Sequence, residues 1–275
     1  MSLKFTILGC GSSGGVPRPA LGWGDCNPRN PKNRRRRTSL LAERRNSAGV
    51  TRILVDTSPD LREQLLAADV DWLDAVLYTH EHADHTHGID DLRGLFIHKR
   101  KRVPIHVDER TAQSLHQRFG YCFAAPPGSE YPPIASEHRL TAGAPVRVEG
   151  AGGALTALPI LQDHGDITSL GFRFGRLAYS CDLIRLPPES VAALADLDVW
   201  IVDALRYKPH PTHLSVEQTL ELIAALKPRR AILTNLHSDL DYDELRGRLP
   251  PHVEPAYDGL TVELADDGLS DGLGA

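Results

Sequence analysis

The sequence predicts an α/β protein whose pattern fits a four-layer sandwich, with two mixed β-sheets packed face to face and helices outside. Strand-like apolar runs dominate the first part of the chain, and strands then alternate with helical segments. Several of these runs end at a polar residue that can bind a metal, and α/β proteins build active sites in this way on one edge of a sheet. The 275 residues contain no low-complexity linker, which predicts a single domain over residues 1–275.

Each predicted strand is a short apolar run, and five of these runs lead to candidate site residues. They are residues 53–55 before Asp56, 75–78 before His80, 155–161 before His164, 177–181 before Asp182, and 231–234 before Asn235 and His237. Helices are predicted for residues 58–68, 109–118, 188–195, 215–226 and 241–246, and the fourth opens with a capping box from Ser215 to Gln218. Residues 121–137, rich in Pro and Gly, predict a long loop that is a candidate lid over the substrate.

The densest group of metal-competent side chains lies in residues 79–85, directly after an apolar run. His80 and His82 are two positions apart, so in extended chain they point the same way, and Asp84 and His85 follow where the chain must turn. Imidazole and carboxylate are ligands of zinc, and manganese or iron(II) can use the same set. Four ligands from one tight turn cannot easily all bind one ion and leave it open to substrate. The spacing therefore suggests two half-built metal sites.

The HxHxDH pattern at residues 80–85 resembles the hallmark motif of the metallo-β-lactamase superfamily, and the resemblance covers about residues 3–264. It implies the metallo-β-lactamase fold and a hydrolase with two divalent metal ions, zinc or manganese. By this resemblance His80, His82 and His164 hold one ion, Asp84, His85 and His237 hold the other, Asp182 bridges them, and Asp56 supports the ligands from behind.

Within the superfamily the chain resembles the phosphodiesterase of the carbon–phosphorus lyase pathway, which opens 5-phosphoribosyl 1,2-cyclic phosphate. The matching segments are the Gly-rich residues 8–17, the pair Trp23-Gly24, the Arg run that ends at residues 37–39, His213-Leu214, and residues 257–259. The resemblance implies hydrolysis of a small cyclic phosphodiester, such as that sugar phosphate or a cyclic nucleotide. The nucleophile would be a hydroxide that bridges the two ions, with Asp84 and Asp182 in the catalytic set.

Two departures from that family concern metal ligands. The family often carries a Cys-rich zinc knuckle after its Trp-Gly pair, whereas residues 23–28 hold only Cys26, so we expect no structural zinc here. The last ligand of the family usually follows the strand-ending Thr directly, and Asn235 occupies that position. We assign the ligand role to His237, because a turn can bring it back to the same place, and Asn235 remains the alternative.

Two further predictions concern the substrate. His213 is the candidate general acid or phosphate clamp, because its loop leads into a capped helix whose N-terminus favours an anion. The alternatives are a surface histidine in a Pro-rich loop, or His210 in the same role. The Arg34–Arg37 run is either a solvated charge run or a phosphate-facing arm, in which Arg37 would bind a second phosphate through its guanidinium.

Composition limits the partners. The net charge of −5 makes nucleic acid an unlikely partner, and a small phosphodiester or nucleotide is the expected substrate. The four cysteines show no paired spacing, and no apolar stretch reaches the about 18 residues of a membrane span. We therefore expect a cytoplasmic protein with reduced thiols and no membrane partner, and the resemblance makes a homodimer plausible.

Three other functions fit the same scaffold. A tRNA 3′-processing endoribonuclease would use the same metals on RNA, although the chain has no basic insertion that could grip tRNA. A thioester or lactam hydrolase is the second, and a non-catalytic metal-binding or ligand-sensing module is the third. Assays with pre-tRNA and with a small cyclic phosphate separate the first alternative from the phosphodiesterase.

Overall fold

The computed structural model describes residues 2–266 and contains two seven-stranded β-sheets with helices on their outer faces. The strands of the first sheet are β1 (Ser2–Gly9), β2 (Ser39–Asn46), β3 (Gly49–Val55), β4 (Ala75–Leu77), β5 (Val103–Val107), β6 (Ala135–Arg139) and β14 (Thr261–Ala265). Those of the second are β7 (Val146–Val148), β8 (Leu155–His164), β9 (Ile167–Phe174), β10 (Leu177–Ser180), β11 (Val199–Asp203), β12 (Arg230–Thr234) and β13 (Val253–Pro255). This arrangement confirms the predicted four-layer fold.

The helices are α1 (Leu61–Ala67), α2 (Ala83–Thr86), α3 (Arg93–Lys99), α4 (Glu109–Phe119), α5 (Pro188–Ala193), α6 (Val216–Leu226) and α7 (Tyr242–Arg248). The capping box predicted at Ser215 is present at the start of α6. The first helix starts at Leu61 rather than at residue 58, because Ser58 bonds the Gln64 side chain within the preceding turn. Helices α2 and α3 were not predicted, since four and seven residues show too little periodicity.

Alternation of side chains along the strands produces three apolar layers. In β3, Ile53 and Val55 face the core between the sheets, whereas Leu54 faces the helices outside. In β11, Ile201 faces the same central core, and Trp200 packs under the outer helices of the second sheet. Both faces of each sheet are thereby buried, which explains why the central strands read as continuous apolar runs.

Strand direction places the candidate residues on one edge of the sandwich. Strands β3 to β6 are parallel to one another, and so are β10 to β13. Strand β8 runs in the same direction as β10, because both pair antiparallel with β9. The carboxyl ends of all these strands therefore open onto the same rim of each sheet.

Two other expectations concern the surface. The longest helices, α4 and α6, have 11 residues each, and within residues 2–266 no helix is long and apolar enough to cross a membrane. The segment 121–137 begins within a 3₁₀ turn (Gly120–Cys122) and extends into β6, and none of its residues lines the cavity described below. Its role as a lid stays a prediction.

Candidate metal centre

Six side chains from both sheets meet at this rim in two groups that share Asp182. In each group, one potential ligand atom from every residue lies within 4.8 Å of the others. The first group is His80, His82, His164 and Asp182, and the second is Asp84, His85 and Asp182. The structure thus brings together six of the seven residues that the resemblance assigns to metal binding.

The imidazoles converge on one carboxylate oxygen. Oδ2 of Asp182 lies 3.6 Å from Nε2 of His80, 3.6 Å from Nε2 of His164 and 3.3 Å from Nε2 of His85. Nε2 of His80 and Nε2 of His85 are buried and have no hydrogen-bond partner among the described residues. Because a buried polar atom without a partner is costly, these nitrogens fit a bound cation, and the imidazole and carboxylate set suits zinc or manganese.

A buried carboxylate behind the ligands fixes their orientation. Oδ2 of Asp56 accepts hydrogen bonds from Nδ1 of His85 at 2.7 Å and from the Thr79 hydroxyl at 2.9 Å. The Thr79 hydroxyl also lies 2.9 Å from Nδ1 of His80, and Nδ1 of His164 donates to the Thr212 carbonyl at 2.7 Å. With Nδ1 protonated in each ring, the Nε2 lone pair points toward the centre, which is the usual arrangement around ligating histidines.

Three polar residues that follow strands adopt a left-handed backbone conformation. Asp56 follows β3 with φ of 64°, Asp182 follows β10 with φ of 54°, and Asn235 follows β12 with φ of 61°. Asp and Asn tolerate this region better than most residues, but it still costs conformational energy. Backbone strain of this kind is often found at functional sites. These three strained residues all lie at the strand ends on the rim that carries the two groups.

The charges in the cluster match what a metal site requires. Burial lowers the pKa of His80 well below its ordinary value, and it also lowers the pKa of His82. Against the effect of burial, the imidazole of His85 lowers the pKa of Asp84 and of Asp182. Neutral imidazole and ionised carboxylate are the forms that bind metals. His85 differs, because although burial opposes it, Asp182 and the other nearby carboxylates raise its pKa well above the ordinary value.

His237 lies outside both groups, and its role as a metal ligand stays a prediction. Its Nε2 is 2.7 Å from Nη1 of Arg18, and its Nδ1 donates to Asp239 at 3.0 Å, so both ring nitrogens are engaged. The left-handed turn at Asn235 sends the following chain toward β11, where the amide of His237 donates to the Leu205 carbonyl. The position after the strand belongs to Asn235, whose Nδ2 donates to Oδ1 of Asp182 at 3.0 Å.

His213 lies beside the first group and is held by a carboxylate that the sequence reasoning missed. Its Nδ1 donates to Oδ2 of Asp203 at 2.9 Å, and its ring centroid is 4.7 Å from that of His164. Although burial opposes the shift, Asp203 and Asp182 raise the pKa of His213 to about 9. Asp203 is the last residue of β11, and Asp56 and Asp182 likewise follow the ends of their strands. The same strand-end pattern could therefore have identified Asp203.

A cavity of about 360 Å³ opens over the two groups. Arg18, Arg206 and His210 line it together with His213 and His237, which makes its wall rich in cationic and imidazole groups. The guanidinium of Arg206 is held by the carbonyls of Lys208 at 3.1 Å and Pro209 at 2.9 Å. Arg18 was not predicted, because its place depends on how the Gly-rich turn folds back over the rim.

Arg37 lines a neighbouring cavity and not the one over the metal ligands. Its Nε lies 3.0 Å from the carboxylate of Asp60. The Gly-rich turn separates the two cavities, and a Cβ at Gly9 would collide with the Arg37 carbonyl oxygen, so backbone segments approach closely here. The substrate-binding role of Arg37 stays a prediction.

The buried guanidinium of Arg35 lies beneath this region, next to Cys26. Arg35 is only 2% exposed and donates to the carbonyls of Leu240 at 2.6 Å and of His237 at 3.1 Å, and to Oδ1 of Asn33 at 3.2 Å. The Cys26 sulfur is 3.8 Å from the same guanidinium. These bonds fasten residues 26–35 to residues 237–240. Cys26 belongs to the segment that often carries a Cys-rich zinc knuckle in the family that the sequence resembles.

Comparisons with known proteins agree with this geometry. Residues 51–235 match the family described as Beta-lactamase superfamily domain. A curated protein of Porphyromonas gingivalis named octanoyltransferase is 34% identical over an alignment of 272 residues that covers 97% of this chain and 53% of that protein. The chain therefore spans about half the length of this relative.

Among solved structures, a diphosphatase of the PhnP family is 33% identical with a TM-score of 0.85, over 96% of this chain and 98% of that one. Zn²⁺-bound PqqB from Methylobacterium extorquens has a TM-score of 0.70 at 18% identity, over 95% and 100% of the two chains. Human tRNase Z, short form, has a TM-score of 0.61 at 15% identity, over 94% and 98%. At these low identities, the last two structures show only that they have the same fold as this chain. The family match and the PhnP-family relative together show that the chain belongs to the metallo-β-lactamase superfamily and, within it, to the PhnP family.

Proposed function

We propose that this protein is a metal-dependent hydrolase of small phosphodiesters, including cyclic ones. The observation that carries the proposal is the position of His213, which is oriented by Asp203 and lies beside the first ligand group in a cavity with a cationic wall. A phosphodiester carries negative charge and needs a proton at its leaving oxygen. Candidate metal ligands, an oriented imidazole and guanidinium groups line one cavity and could meet these needs.

His80, His82 and His164 with Asp182 would hold one ion, and Asp84 and His85 with Asp182 are the ligands available for a second. A bound divalent ion neutralises phosphate charge and makes water acidic enough to supply a nucleophile near neutral pH. Asp56, Thr79 and Thr212 orient three of these histidines through hydrogen bonds, so that their Nε2 atoms face the centre.

His213 is the proposed general acid. Because its Nδ1 donates to Asp203, the proton to be transferred is on Nε2, the ring nitrogen that Asp203 leaves free. Asp203 keeps that orientation and stabilises the imidazolium until the proton passes to the leaving oxygen. The rings of His213 and His164 are in contact, which supports a role for His213 as the acid for an ester bound at the first group.

Arg18 and Arg206 are the proposed anion-binding side chains. Both line the cavity, and guanidinium groups match phosphate oxygens with paired donors. A volume of about 360 Å³ is near the lower end of common ligand sites, which span roughly 300–1,000 Å³, and it suits a sugar phosphate or a nucleotide. We propose a substrate of that size and not a folded RNA.

A second candidate is hydrolysis of a diphosphate bond. The observation that favours it is the PhnP-family relative, described as a diphosphatase, which is 33% identical over nearly the whole chain. The chemistry at phosphorus is the same, and the leaving group differs. A diphosphate ester would release phosphate or a phosphate monoester, whereas a cyclic diester would release a single ring-opened monoester.

The test is a substrate panel with protein loaded with Mn²⁺ or Zn²⁺. It contains bis(p-nitrophenyl) phosphate, a ribose cyclic phosphate, a nucleoside diphosphate ester, an octanoyl thioester, a lactam and a pre-tRNA. We expect turnover of small phosphate esters that a chelator abolishes and added metal restores. His80→Ala should remove it, and His98→Ala, at an exposed site outside the cavity, is the matched control. Turnover of the thioester, the lactam or pre-tRNA without that of any small phosphate ester would overturn the proposal.

A further inference from the structure

We infer that the two ligand groups bind metal with unequal strength, so that the resting protein retains one ion at the first group and exchanges any ion at the second readily. The inference rests on the metal site of the proposed function, but it concerns how many ions the site retains and not which bond is cleaved. The family motif implies two bound ions, whereas we expect only one to be held tightly, and the residue responsible is Asn235.

The number of ligands differs between the groups. The first combines three imidazoles with a carboxylate oxygen, which is a complete tetrahedral set for zinc. The second has one imidazole, His85, and the carboxylate of Asp84, and it shares Asp182 with the first. The second group therefore depends on the shared carboxylate far more than the first.

The shared carboxylate has only one oxygen free for both groups. Oδ2 of Asp182 is the oxygen near His80, His85 and His164. Oδ1 accepts from Nδ2 of Asn235 at 3.0 Å and from the Cys181 thiol at 2.9 Å. A carboxylate that bridges two ions through both of its oxygens would have to give up these hydrogen bonds.

The amide of Asn235 is held in its donating orientation. Its Nδ2 lies 3.0 Å from Oδ1 of Asp182 and 3.1 Å from Oδ1 of Asp203, and both oxygens can only accept when they are ionised. The nitrogen must therefore face the two carboxylates. An amide nitrogen that carries two hydrogens cannot bind a metal, so the residue after β12 acts as a hydrogen-bond donor at the position where a ligand was expected.

His237 offers no replacement in this conformation. Its two ring nitrogens contact Arg18 and Asp239, and its side chain is 27% exposed at the cavity wall. The second group therefore has no second imidazole among the described residues, while its Asp84 carboxylate is 15% exposed toward the cavity. An ion at the second group would keep open positions that water fills, which favours exchange.

In the test, metal is removed from the protein with a chelator, Mn²⁺ is added back, and bound Mn²⁺ is titrated and then counted after gel filtration. We expect one ion per chain to remain after gel filtration. A second ion should bind on the order of 100-fold more weakly or worse, since even outer partners of ligands change metal affinity by about 10–100-fold. The electron paramagnetic resonance spectrum of the filtered protein should be that of isolated Mn²⁺.

Two variants restore a ligand at the critical position. Asn235→His supplies an imidazole, and histidine tolerates left-handed backbone better than most residues. Asn235→Asp has nearly the same shape and supplies a carboxylate, so it is suitable if the larger ring disrupts folding. Either variant should retain a second ion and give a spin-coupled spectrum. His237→Gln is the matched control, and we expect it to leave the metal count at one.

Two equally tight ions in the wild-type protein would overturn the inference, and so would a lower metal count in His237→Gln. Failure of both Asn235 variants to retain a second ion would overturn it as well. A protein that retains one ion but hydrolyses no phosphate ester contradicts the proposed function alone. Phosphodiesterase activity with two equally held ions contradicts the inference alone.

Discussion

Asp203 joins two residues of the cavity wall through its two carboxylate oxygens. Oδ2 accepts from Nδ1 of His213 at 2.9 Å, and Oδ1 accepts from the amide of Asn235 at 3.1 Å. The Thr219 hydroxyl of α6 donates to the backbone carbonyl of Asp203 at 2.7 Å, and Asp203 is fully buried. One carboxylate at the end of β11 therefore positions the proposed acid and the donor that occupies the expected ligand position.

His213→Ala should lower kcat by about 10²–10⁴-fold, the usual contribution of a general acid or base, and leave the metal count unchanged. Asp203→Asn should lower kcat in the same direction, because the imidazole loses its orienting acceptor. Turnover is measured on a small phosphodiester and metal by elemental analysis. His210→Ala is the control, since His210 lines the same cavity. A larger loss in His210→Ala than in His213→Ala would transfer the role to His210.

Asp56→Asn should weaken metal binding by about 10–100-fold, as is typical when a partner of a ligating histidine is lost. Oδ2 of this carboxylate accepts from His85 and the Thr79 hydroxyl, Oδ1 accepts from the Thr79 backbone amide, and an asparagine side chain cannot accept at both positions. Competition with a chromophoric chelator measures the change. Asp60→Asn is the control, because Asp60 pairs with Arg37, which lines the neighbouring cavity. Equal affinities in Asp56→Asn and wild type would remove Asp56 from the site.

Arg18→Ala and Arg37→Ala distinguish the two arginines that could bind substrate phosphate. Arg18 lines the cavity over the ligands, and Arg37 lines the neighbouring one. We expect Arg18→Ala to raise KM about 10-fold or more, which is 1.4 kcal/mol or more of binding, with little change in metal content. Arg37→Ala should leave KM close to that of the wild type. The opposite result would support the predicted role of Arg37 in binding substrate phosphate.

Acid should destabilise the protein through His106. Burial, together with the neighbouring His138, lowers the pKa of His106 to about 4, and the two rings stack with centroids 4.9 Å apart. In the unfolded chain the pKa of histidine is about 6.5. The unfolded state therefore binds more protons between these values, so stability is full above about pH 6.5 and falls as the pH drops toward 4.

His106→Gln should reduce the loss of stability at acid pH. His138→Gln should reduce this loss only partly, because that change removes the neighbouring charge and leaves His106 buried. Urea unfolding at several pH values, with the same metal content throughout, measures the slope. A pH dependence in His106→Gln that matches the wild type over this window would show that other groups cause the loss.

Arg35→Met should destabilise the fold, because the carbonyls of His237 and Leu240 would lose a charged donor in a buried place. Hydrogen bonds to charged groups contribute about 1.5–3 kcal/mol each. The free energy of unfolding should fall by at least about that amount in urea titrations. Arg34→Met is the control, since Arg34 lies over the Trp23 ring near the surface and should change stability much less. Equal losses in the two variants would contradict this role of Arg35.

Local spacing made most of the site predictable. The order of residues 80–85 fixes their geometry, because the short loop after β4 holds His80 and His82 and the helix α2 that follows it holds Asp84 and His85. The strand-end pattern located Asp56, His164 and Asp182, since parallel strands bring their carboxyl ends together whatever the loops do. The same pattern applied to β11 would have added Asp203.

The remaining site residues depend on chain direction outside the strands. The left-handed conformation of Asn235 decides where His237 goes, and sequence alone did not reveal it. Arg18 reaches the cavity only because the Gly-rich turn folds back over the rim. Arg37 was expected near substrate as the end of a basic run, but Asp60, just before α1, binds its guanidinium. Pairing between distant segments was not visible in the order of residues.

The guanidinium of Arg35 has a practical consequence for handling this protein. It ties the segment beside Cys26 to the chain beneath the cavity through hydrogen bonds. Removal of metal with a chelator should therefore leave this support intact. The fold should persist through a cycle in which metal is removed and supplied again, and any metal-dependent activity should be lost and regained with it.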